Sequence, residues 1–282
     1  MQFDDQRVDT SHLSDRRGRS FTGGRAIGFG GGGVGLIVVL LMLFLGGGGN
    51  GPSPFAGTET QTQDDLATRC NTAGAIERDD DCFVLKVFNE ANEVWAGQVE
   101  GYSAPTLTYF ESGVSTACGS ASSQVGPFYC PADESVYIDL GFMNQLQEQL
   151  GAQGRYAQAY IVAHEIGHHL QHLTGMDDQV RRAQQSDPGE ANELSVAMEL
   201  QADCYAGVWG RDANDQGNVR ISQAEFDDAM RAAAAVGDDR IQAATQGRTD
   251  PESWTHGSAA QRQEWFATGF RTGDPAQCDT LD

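Results

Sequence analysis

The stretch Tyr156–His172 reads YAQAYIVAHEIGHHLQH and contains His-Glu-Ile-Gly-His at positions 164 to 168. On a helix, side chains four positions apart lie on one face, so His164 and His168 can direct their imidazole rings at a single point. Two neutral imidazoles suit Zn²⁺. Glu165 lies about 100° round the helix, where it can reach a water molecule beside the metal without ligating the metal. The stretch therefore predicts a helical zinc site with Glu165 as general base.

A catalytic zinc needs three protein ligands and one open position. Some zinc proteases place a third histidine six residues after the second, but position 174 of this chain is Thr174. The remaining common solution is a carboxylate from a later helix. Glu199 fits this requirement, because it lies in a largely apolar stretch that predicts a helix from Pro188 to about Trp209. We therefore expect Glu199 to be the third ligand.

The surroundings of Glu199 support this assignment. A buried, ionised carboxylate is costly unless a metal or a cation compensates its charge. Between Arg182 and Arg211 the chain has no Lys or Arg, so zinc is the expected partner. Asp203 lies one turn later on the same face and is expected to accept a hydrogen bond from a ligating histidine. The alternative is that both acids lie on a solvated stripe of the helix.

His256, which precedes the last helix, is a further catalytic candidate. It could donate a hydrogen bond to the oxyanion that forms when a peptide carbonyl is attacked. The alternative is a surface histidine near a helix start. Elsewhere, the spacing of apolar residues predicts helices over 81–99, 142–150, 222–235 and from 258 onward, with short strands over 106–110 and 135–140.

The net charge of the chain limits the classes of partner that it can bind. The 282 residues carry a formal net charge of −22, and Lys86 is the single lysine. Nucleic acid is not expected as a partner, because its phosphates would be repelled. The six cysteines form no closely spaced pairs of the zinc-cluster kind. The simplest of the possible pairings joins Cys70 to Cys82, Cys118 to Cys130 and Cys204 to Cys278, and disulfides require an oxidising compartment.

The N-terminal quarter has a different composition. Residues 1–25 are polar and are expected to form a disordered cytoplasmic tail. Residues 26–45 are uncharged and apolar over enough length to cross a bilayer, and the arginines before them predict a cytoplasmic N-terminus with the rest of the chain outside. A cleaved signal peptide is the alternative. Residues 46–65 are expected to be a flexible linker, and 66–282 a folded domain in the periplasm or outside the cell.

Five motifs together resemble the bacterial neutral zinc metallopeptidase family: HEIGHHLQ, GPFYCPADESVYIDL, ELQADCYAGVW, THGSAAQRQEWFATGF and GDPAQCDT. The resemblance covers about residues 70–282. It implies a gluzincin-like, mainly helical α+β domain of the zincin type with a few short strands, behind an N-terminal transmembrane helix. It also implies His164, His168 and Glu199 as zinc ligands and Glu165 as general base, and it leaves the substrate open.

Three functional interpretations follow. The first is a membrane-anchored zinc endopeptidase that cleaves proteins or peptides outside the cytoplasm. The second is a catalytically idle zinc-containing binding or scaffold module at the membrane; the presence of Glu165 argues against it, since an idle site need not keep its base. The third is a soluble secreted protease released by signal cleavage.

Overall fold

A computed structural model describes residues 1–18, 63–150 and 154–281, with the backbone alone at 63 and over 146–150. This part of the chain is mainly helical with a few strands, as predicted. The helices are α1 Gln63–Cys70, α2 Ala75–Arg78, α3 Asp80–Gln98, α4 Leu140–Leu150, α5 Arg155–Leu173, α6 Met176–Ser186, α7 Ala191–Asp215, α8 Gln223–Ala235, α9 Asp238–Gln246 and α10 Ala259–Thr272. The strands are β1 Gln2–Phe3, β2 Leu13–Asp15, β3 Thr106–Tyr109, β4 Gly113–Thr116, β5 Gly119–Ser122, β6 Phe128–Cys130, β7 Ser135–Ile138 and β8 Val219–Arg220.

Helix α5, which carries the His-Glu-Ile-Gly-His sequence, lies at the centre of the fold. Its residues from Tyr156 to Gln171 are all buried. It packs against α3, α7 and α8. At the crossing with α7, a Cβ atom on Gly167 would lie 3.0 Å from the Cα atom and the carbonyl oxygen of Ala202. Glycine at this position therefore lets the two helix backbones approach, which brings the histidines of α5 beside the acidic residues of α7.

Helices α7 and α10 approach each other closely at two glycines. A Cβ on Gly207 would lie 2.6 Å from the backbone nitrogen of Phe270, and a Cβ on Gly269 would lie 2.8 Å from that of Val208. Both glycines have ordinary helical φ angles. Glycine is therefore needed at these positions because the two helix backbones are close, and not because of an unusual backbone conformation. α10 begins with the capping box of Ser258 and Gln261, which satisfies free N–H groups at its start.

A four-stranded sheet lies beside the helices in the order β2-β3-β7-β6. β2, β3 and β7 are mutually parallel, and β6 pairs antiparallel with β7. The side chains of β7 are all buried, as expected for an interior strand. The Tyr109 hydroxyl of β3 donates a hydrogen bond of 2.6 Å to the carbonyl of Asp81, which joins the sheet to the start of α3.

The prediction that residues 1–25 form a disordered tail is wrong for the described residues 1–18. β1 pairs with β8, and β2 adds a parallel strand beside β3. Composition misled the prediction because the segment has few apolar residues, yet two of them, Phe3 and Leu13, enter the core. The segment also pairs through backbone hydrogen bonds of β1 and β2, which composition does not show.

The expected transmembrane helix, residues 26–45, and the expected linker, 46–65, fall largely outside the described residues. Among the residues that are described, no helix is long and apolar enough to cross a membrane. The boundaries of the predicted helices and strands agree to within a few residues, except that α7 continues to Asp215, six residues past the predicted end. Helices α6 and α9 and the β4–β5 hairpin were not predicted.

All six cysteines are paired as the spacing indicates. The disulfides are Cys70–Cys82, Cys118–Cys130 and Cys204–Cys278. The third has a sequence separation of 74 residues and joins α7, at the position after Asp203, to the C-terminal segment. It therefore fixes the chain end against the helix that carries both predicted acidic site residues.

Candidate metal centre

Two histidines of α5 and one glutamate of α7 converge as the sequence predicted. The Nε2 atoms of His164 and His168 lie 3.1 Å apart. The carboxylate of Glu199 lies 3.2 Å from the first of these nitrogens and 3.5 Å from the second. One ligand atom from each residue lies within 4.8 Å of the others, and all three side chains are buried. Such a group of two imidazoles and one carboxylate can hold a metal ion.

The Nδ1 atoms of both histidines have acceptors as partners. His164 Nδ1 lies 2.9 Å from Asp203 Oδ1. His168 Nδ1 lies 2.8 Å from Gln171 Oε1, and the amide nitrogen of Gln171 donates to the carbonyl of Met198, which fixes the amide orientation. Each Nδ1 therefore carries the ring hydrogen. Because a neutral imidazole has only one N–H, both Nε2 atoms then carry lone pairs, and these face each other. Two lone pairs at this distance require a proton or a cation between them, as a zinc site supplies.

The carboxylate of Glu199 shows the same deficit. Its Oε2 atom is buried and accepts no hydrogen bond of acceptable geometry from the described residues. Burial alone would raise the pKa of Glu199, but the adjacent His168 and His164 hold it well below its usual value. A buried, ionised carboxylate with an unpartnered oxygen fits a metal ligand. The residues present therefore fit zinc.

The pKa of His164 shows how the site is compensated without metal. Burial lowers this pKa, but the hydrogen bond to Asp203 and the nearby carboxylate of Glu199 outweigh burial and raise it to about 9. A proton then lies where a cation would be bound. Metal binding must displace this proton, so metal affinity should fall with decreasing pH.

Glu165 lies in the same buried region, with 2% of its surface exposed. Burial raises its pKa, while the neighbouring histidines act in the opposite direction. A carboxylate with a raised pKa is suited to accept a proton near neutral pH and then release it. The structure thus gives Glu165 an environment appropriate to a general base.

Arg262, from α10, was not found by the sequence reasoning. Its guanidinium is fully buried and makes a two-point contact with Asp203: Nε to Oδ2 at 2.7 Å and Nη2 to Oδ1 at 2.9 Å. Nη2 also donates to the hydroxyl of Tyr160 at 3.2 Å and lies 3.8 Å from Glu199 Oε2. The expectation that no cation lies near Glu199 is therefore wrong. That expectation considered only residues near Glu199 in sequence, whereas Arg262 comes from α10, which packs against α7.

His256 is not a surface residue; only 2% of it is exposed. Its Nδ1 lies 3.1 Å from Asp238 Oδ1. The other oxygen of Asp238 accepts backbone N–H groups from Thr255, His256 and Gly257 at 2.7–3.1 Å. His256 Nε2 is buried and unpartnered among the described residues, and the ring is close enough to Glu199 to lower the pKa of that carboxyl. Asp238 thus fixes the ring near the converging group.

The remaining histidines of α5 are engaged elsewhere. His169, fully buried, uses one nitrogen with the Tyr129 hydroxyl at 2.9 Å and the other with the carbonyl of Ser103 at 2.7 Å. His172 pairs with Asp177 at 2.9 Å. Neither belongs to the converging group.

Comparison with known proteins finds one matching family and several similar bacterial proteins. Residues 1–281 match the profile of the family described as "Putative neutral zinc metallopeptidase". The chain is 46% identical over 204 residues to "Uncharacterized protein YpfJ" of Escherichia coli strain K12, covering 71% of this chain and 70% of that protein. It is 47% identical over 223 residues to "Uncharacterized protein Mb2605" of Mycobacterium bovis and to "Uncharacterized protein Rv2575" of Mycobacterium tuberculosis, covering 76% of this chain and 75% of each.

No solved structure matches the chain at a significant level. The family match, in contrast, spans almost the whole sequence and includes both helices that form the converging group. With that coverage, the chain belongs to the neutral zinc metallopeptidase family.

Proposed function

We propose that this chain is a zinc-dependent endopeptidase that hydrolyses peptide bonds in protein or peptide substrates. The observation that carries the proposal is the convergence of two imidazole lone pairs and the unpartnered Glu199 oxygen beside the buried Glu165. His164, His168 and Glu199 would hold the zinc. Bound zinc would polarise the scissile carbonyl and acidify a water molecule.

The protein residues would then handle the proton. Glu165 accepts the proton of the attacking water and delivers it to the leaving amine, as its raised pKa allows. His256 would donate a hydrogen bond from Nε2 to the oxyanion of the reacting carbonyl. Asp238 supports this role, since a carboxylate at Nδ1 orients the ring.

Asp203 would act behind the ligands. It holds the Nδ1–H of His164 at 2.9 Å, which fixes the tautomer and the ring orientation needed for ligation through Nε2. Gln171 does the same for His168. Both contacts would keep the two rings in place in the presence and absence of metal.

We further propose that the domain works in an oxidising compartment outside the cytoplasm, the periplasm or the cell exterior. The three disulfides support this, because such bonds persist where the glutathione and thioredoxin systems do not reduce them. The expected substrates are therefore proteins or peptides present there.

The test is a comparison of wild type with Glu165→Gln. The variant should retain one zinc per chain and the fold but lose at least about a hundredfold in the rate of peptide hydrolysis, the usual scale for loss of a general base. Comparing the new protein termini in cells that express either form identifies substrates. Glu193→Gln is the matched control, since Glu193 is an exposed acid on α7 away from the converging group.

Two results would contradict the proposal. Equal hydrolysis by wild type and Glu165→Gln would exclude the mechanism. No hydrolysis by a wild type that binds zinc stoichiometrically would favour the idle zinc module instead.

For the ligand set, Glu199→Ala should abolish tight zinc binding, whereas Glu193→Ala should not.

A further inference from the structure

Asp203 and Glu199 are two carboxylates one helix turn apart, and both face His164. Asp203 lies at Nδ1 of the ring and Glu199 at Nε2. Only one of them can be the metal ligand in the proposed site. A carboxylate that is free to turn could compete for the metal, so something must hold Asp203 in its supporting position.

Arg262 makes the contact that does so. Its planar guanidinium binds both oxygens of Asp203, and such a two-point contact fixes the plane of a carboxylate as a lysine could not. The Tyr160 hydroxyl donates to the same Oδ1 atom and accepts from Arg262. The remaining position on Oδ1 is taken by His164 Nδ1. None of these side chains is more than 2% exposed, so solvent cannot replace a lost contact.

We propose that Arg262 is a positioning residue that assigns the two carboxylates their roles. By holding Asp203 against His164 Nδ1, it keeps Asp203 off the metal and leaves Glu199 as the ligand. This inference rests on the proposed zinc site. It adds that the C-terminal helix α10, although it contributes no ligand, sets the metal affinity of the site.

The test is a double-mutant cycle on zinc affinity, measured by competition with a chelator on the full chain. Arg262→Met and Asp203→Asn should each weaken zinc binding by about 10–100-fold. If Arg262 acts through Asp203, adding Arg262→Met to Asp203→Asn should cause little further loss. The visible absorption of the Co²⁺-substituted protein should change in Arg262→Met, because the ligand geometry changes.

Two further variants keep the test decisive. Arg262→Lys retains the charge but loses the two-point contact, and it should still weaken zinc binding. The Asp203→Asn/Arg262→Met double variant leaves no unpaired buried charge, so it serves if Arg262→Met alone fails to fold. Equal loss in both backgrounds, or wild-type affinity in Arg262→Lys, would overturn the inference. A wild-type chain that binds zinc but hydrolyses no peptide would contradict the proposed function, whereas the affinity comparison of the variants tests this inference by itself.

A second inference concerns residues 1–18 and rests on different contacts. The side-chain amides of Asn71 and Asn89 bind the backbone of this segment in both directions. Asn89 accepts from the N–H of Asp9 at 2.8 Å and donates to its carbonyl at 3.0 Å, and Asn71 does the same at Val8 at 3.0 and 3.4 Å. These contacts resemble the pairing of an added strand.

Charged groups also bind the segment to the domain. Arg17 lies 3.0 Å from Asp81 and stacks over the ring of Tyr109. Lys86, the single lysine of the chain, donates to the carbonyl of Arg7 at 3.1 Å and lies over the ring of Phe3. Together with β1 and β2, these contacts make residues 1–18 part of the folded domain.

We infer that residues 1–18 and the metal domain lie on the same side of any membrane that the chain meets. A single crossing between them would place the two partners of every contact above on opposite sides. The predicted combination of a cytoplasmic N-terminus with a domain outside the cytoplasm is incompatible with these contacts.

Thiol labelling of the full chain in intact cells tests this directly. Ser11 and Ser186 are exposed, so cysteines at Ser11→Cys and Ser186→Cys report on the segment and on the domain. A membrane-impermeant maleimide should label both variants under the same condition. Either both are labelled in intact cells, or both are labelled only after permeabilisation. Labelling of one before permeabilisation and of the other only afterwards would overturn the inference.

A stability measurement on the purified chain tests the docking itself. Arg17→Ala should lower the melting temperature by about 5–10 °C, because it breaks a largely buried ion pair. Arg7→Ala is the control: the Arg7 side chain is 86% exposed and pairs with Asp5 of its own segment. Equal melting temperatures of the two variants would show that the segment does not dock as described.

Discussion

Replacing Gly269 by alanine should force α10 away from α7. A Cβ atom there would lie 2.8 Å from the backbone nitrogen of Val208 and closer still to the carbonyl of Cys204. Non-bonded carbon atoms prefer about 3.5–4.0 Å, so a shift on the order of 1 Å is needed. The obstructing atoms belong to a helix backbone, which cannot rotate aside as a side chain can. The strain must therefore be relieved by separating the two helices.

The magnitude follows from two opposing effects. Overpacking a close-packed interior costs about 1–3 kcal/mol, and contact with backbone places this case at about 3. Alanine returns about 1 kcal/mol through its better helix propensity. The net loss of about 2 kcal/mol corresponds to a melting temperature lower by about 4–8 °C for a domain of this size. Because Arg262 lies two turns earlier on α10, its separation from Asp203 should also weaken zinc binding.

Thermal unfolding and zinc competition measure both effects, and Gly97→Ala is the matched control. Gly97 lies in α3, and a Cβ atom there would meet nothing within 4 Å in the described part of the chain. This variant should gain about 0.5–1 kcal/mol from helix propensity alone and bind zinc as wild type does. If Gly269→Ala were as stable as Gly97→Ala, the close approach of α7 and α10 would be refuted.

Three further predictions follow. Burial would raise the pKa of Asp81, but the hydrogen bond from Arg69 and a second arginine hold it below its usual 3.8. Its contribution to stability is therefore present above pH 3.8 and lost as the pH falls further, so denaturant unfolding of Asp81→Asn and wild type should converge in acid. Removing the disulfide with Cys204→Ser/Cys278→Ser should lower the free energy of unfolding by about 4 kcal/mol in the chain-entropy model, measured by denaturant titration. Zinc at about a thousand times its dissociation constant should stabilise the wild type by about 4 kcal/mol in calorimetry, and His168→Ala should show no such gain.

The site was predictable where its geometry is local. The spacing of His164 and His168 follows from helix periodicity, and Glu199 was found because α7 offered few other carboxylates in apolar surroundings. Arg262 and Asp238 were missed because their partners are distant in sequence: Arg262 lies 59 residues from the carboxylate it binds. A buried arginine in an otherwise amphipathic helix leaves no signal that distinguishes it from a surface arginine.

The fold shows the same division between local and distant interactions. Helices with an apolar face, such as α3 and α8, were predicted to within a few residues because their pattern lies within one stretch of chain. The strands of residues 1–18 were missed because their pairing depends on β3 and β8, from distant parts of the sequence. Short strands with one buried residue carry too little pattern to identify alone.

The charge balance of the buried site provides a reason for zinc that does not depend on the absence of a local cation. Of the two carboxylates near Arg262, Asp203 forms the closer ion pair with it and is neutralised. The negative charge of Glu199 then remains beside two neutral imidazoles. In the metal-free state the proton of His164, whose pKa is about 9, compensates that charge. A divalent ion in place of this proton leaves one positive charge. That excess is balanced when Glu165 is ionised, so metal binding should itself favour the form of Glu165 that acts as a base.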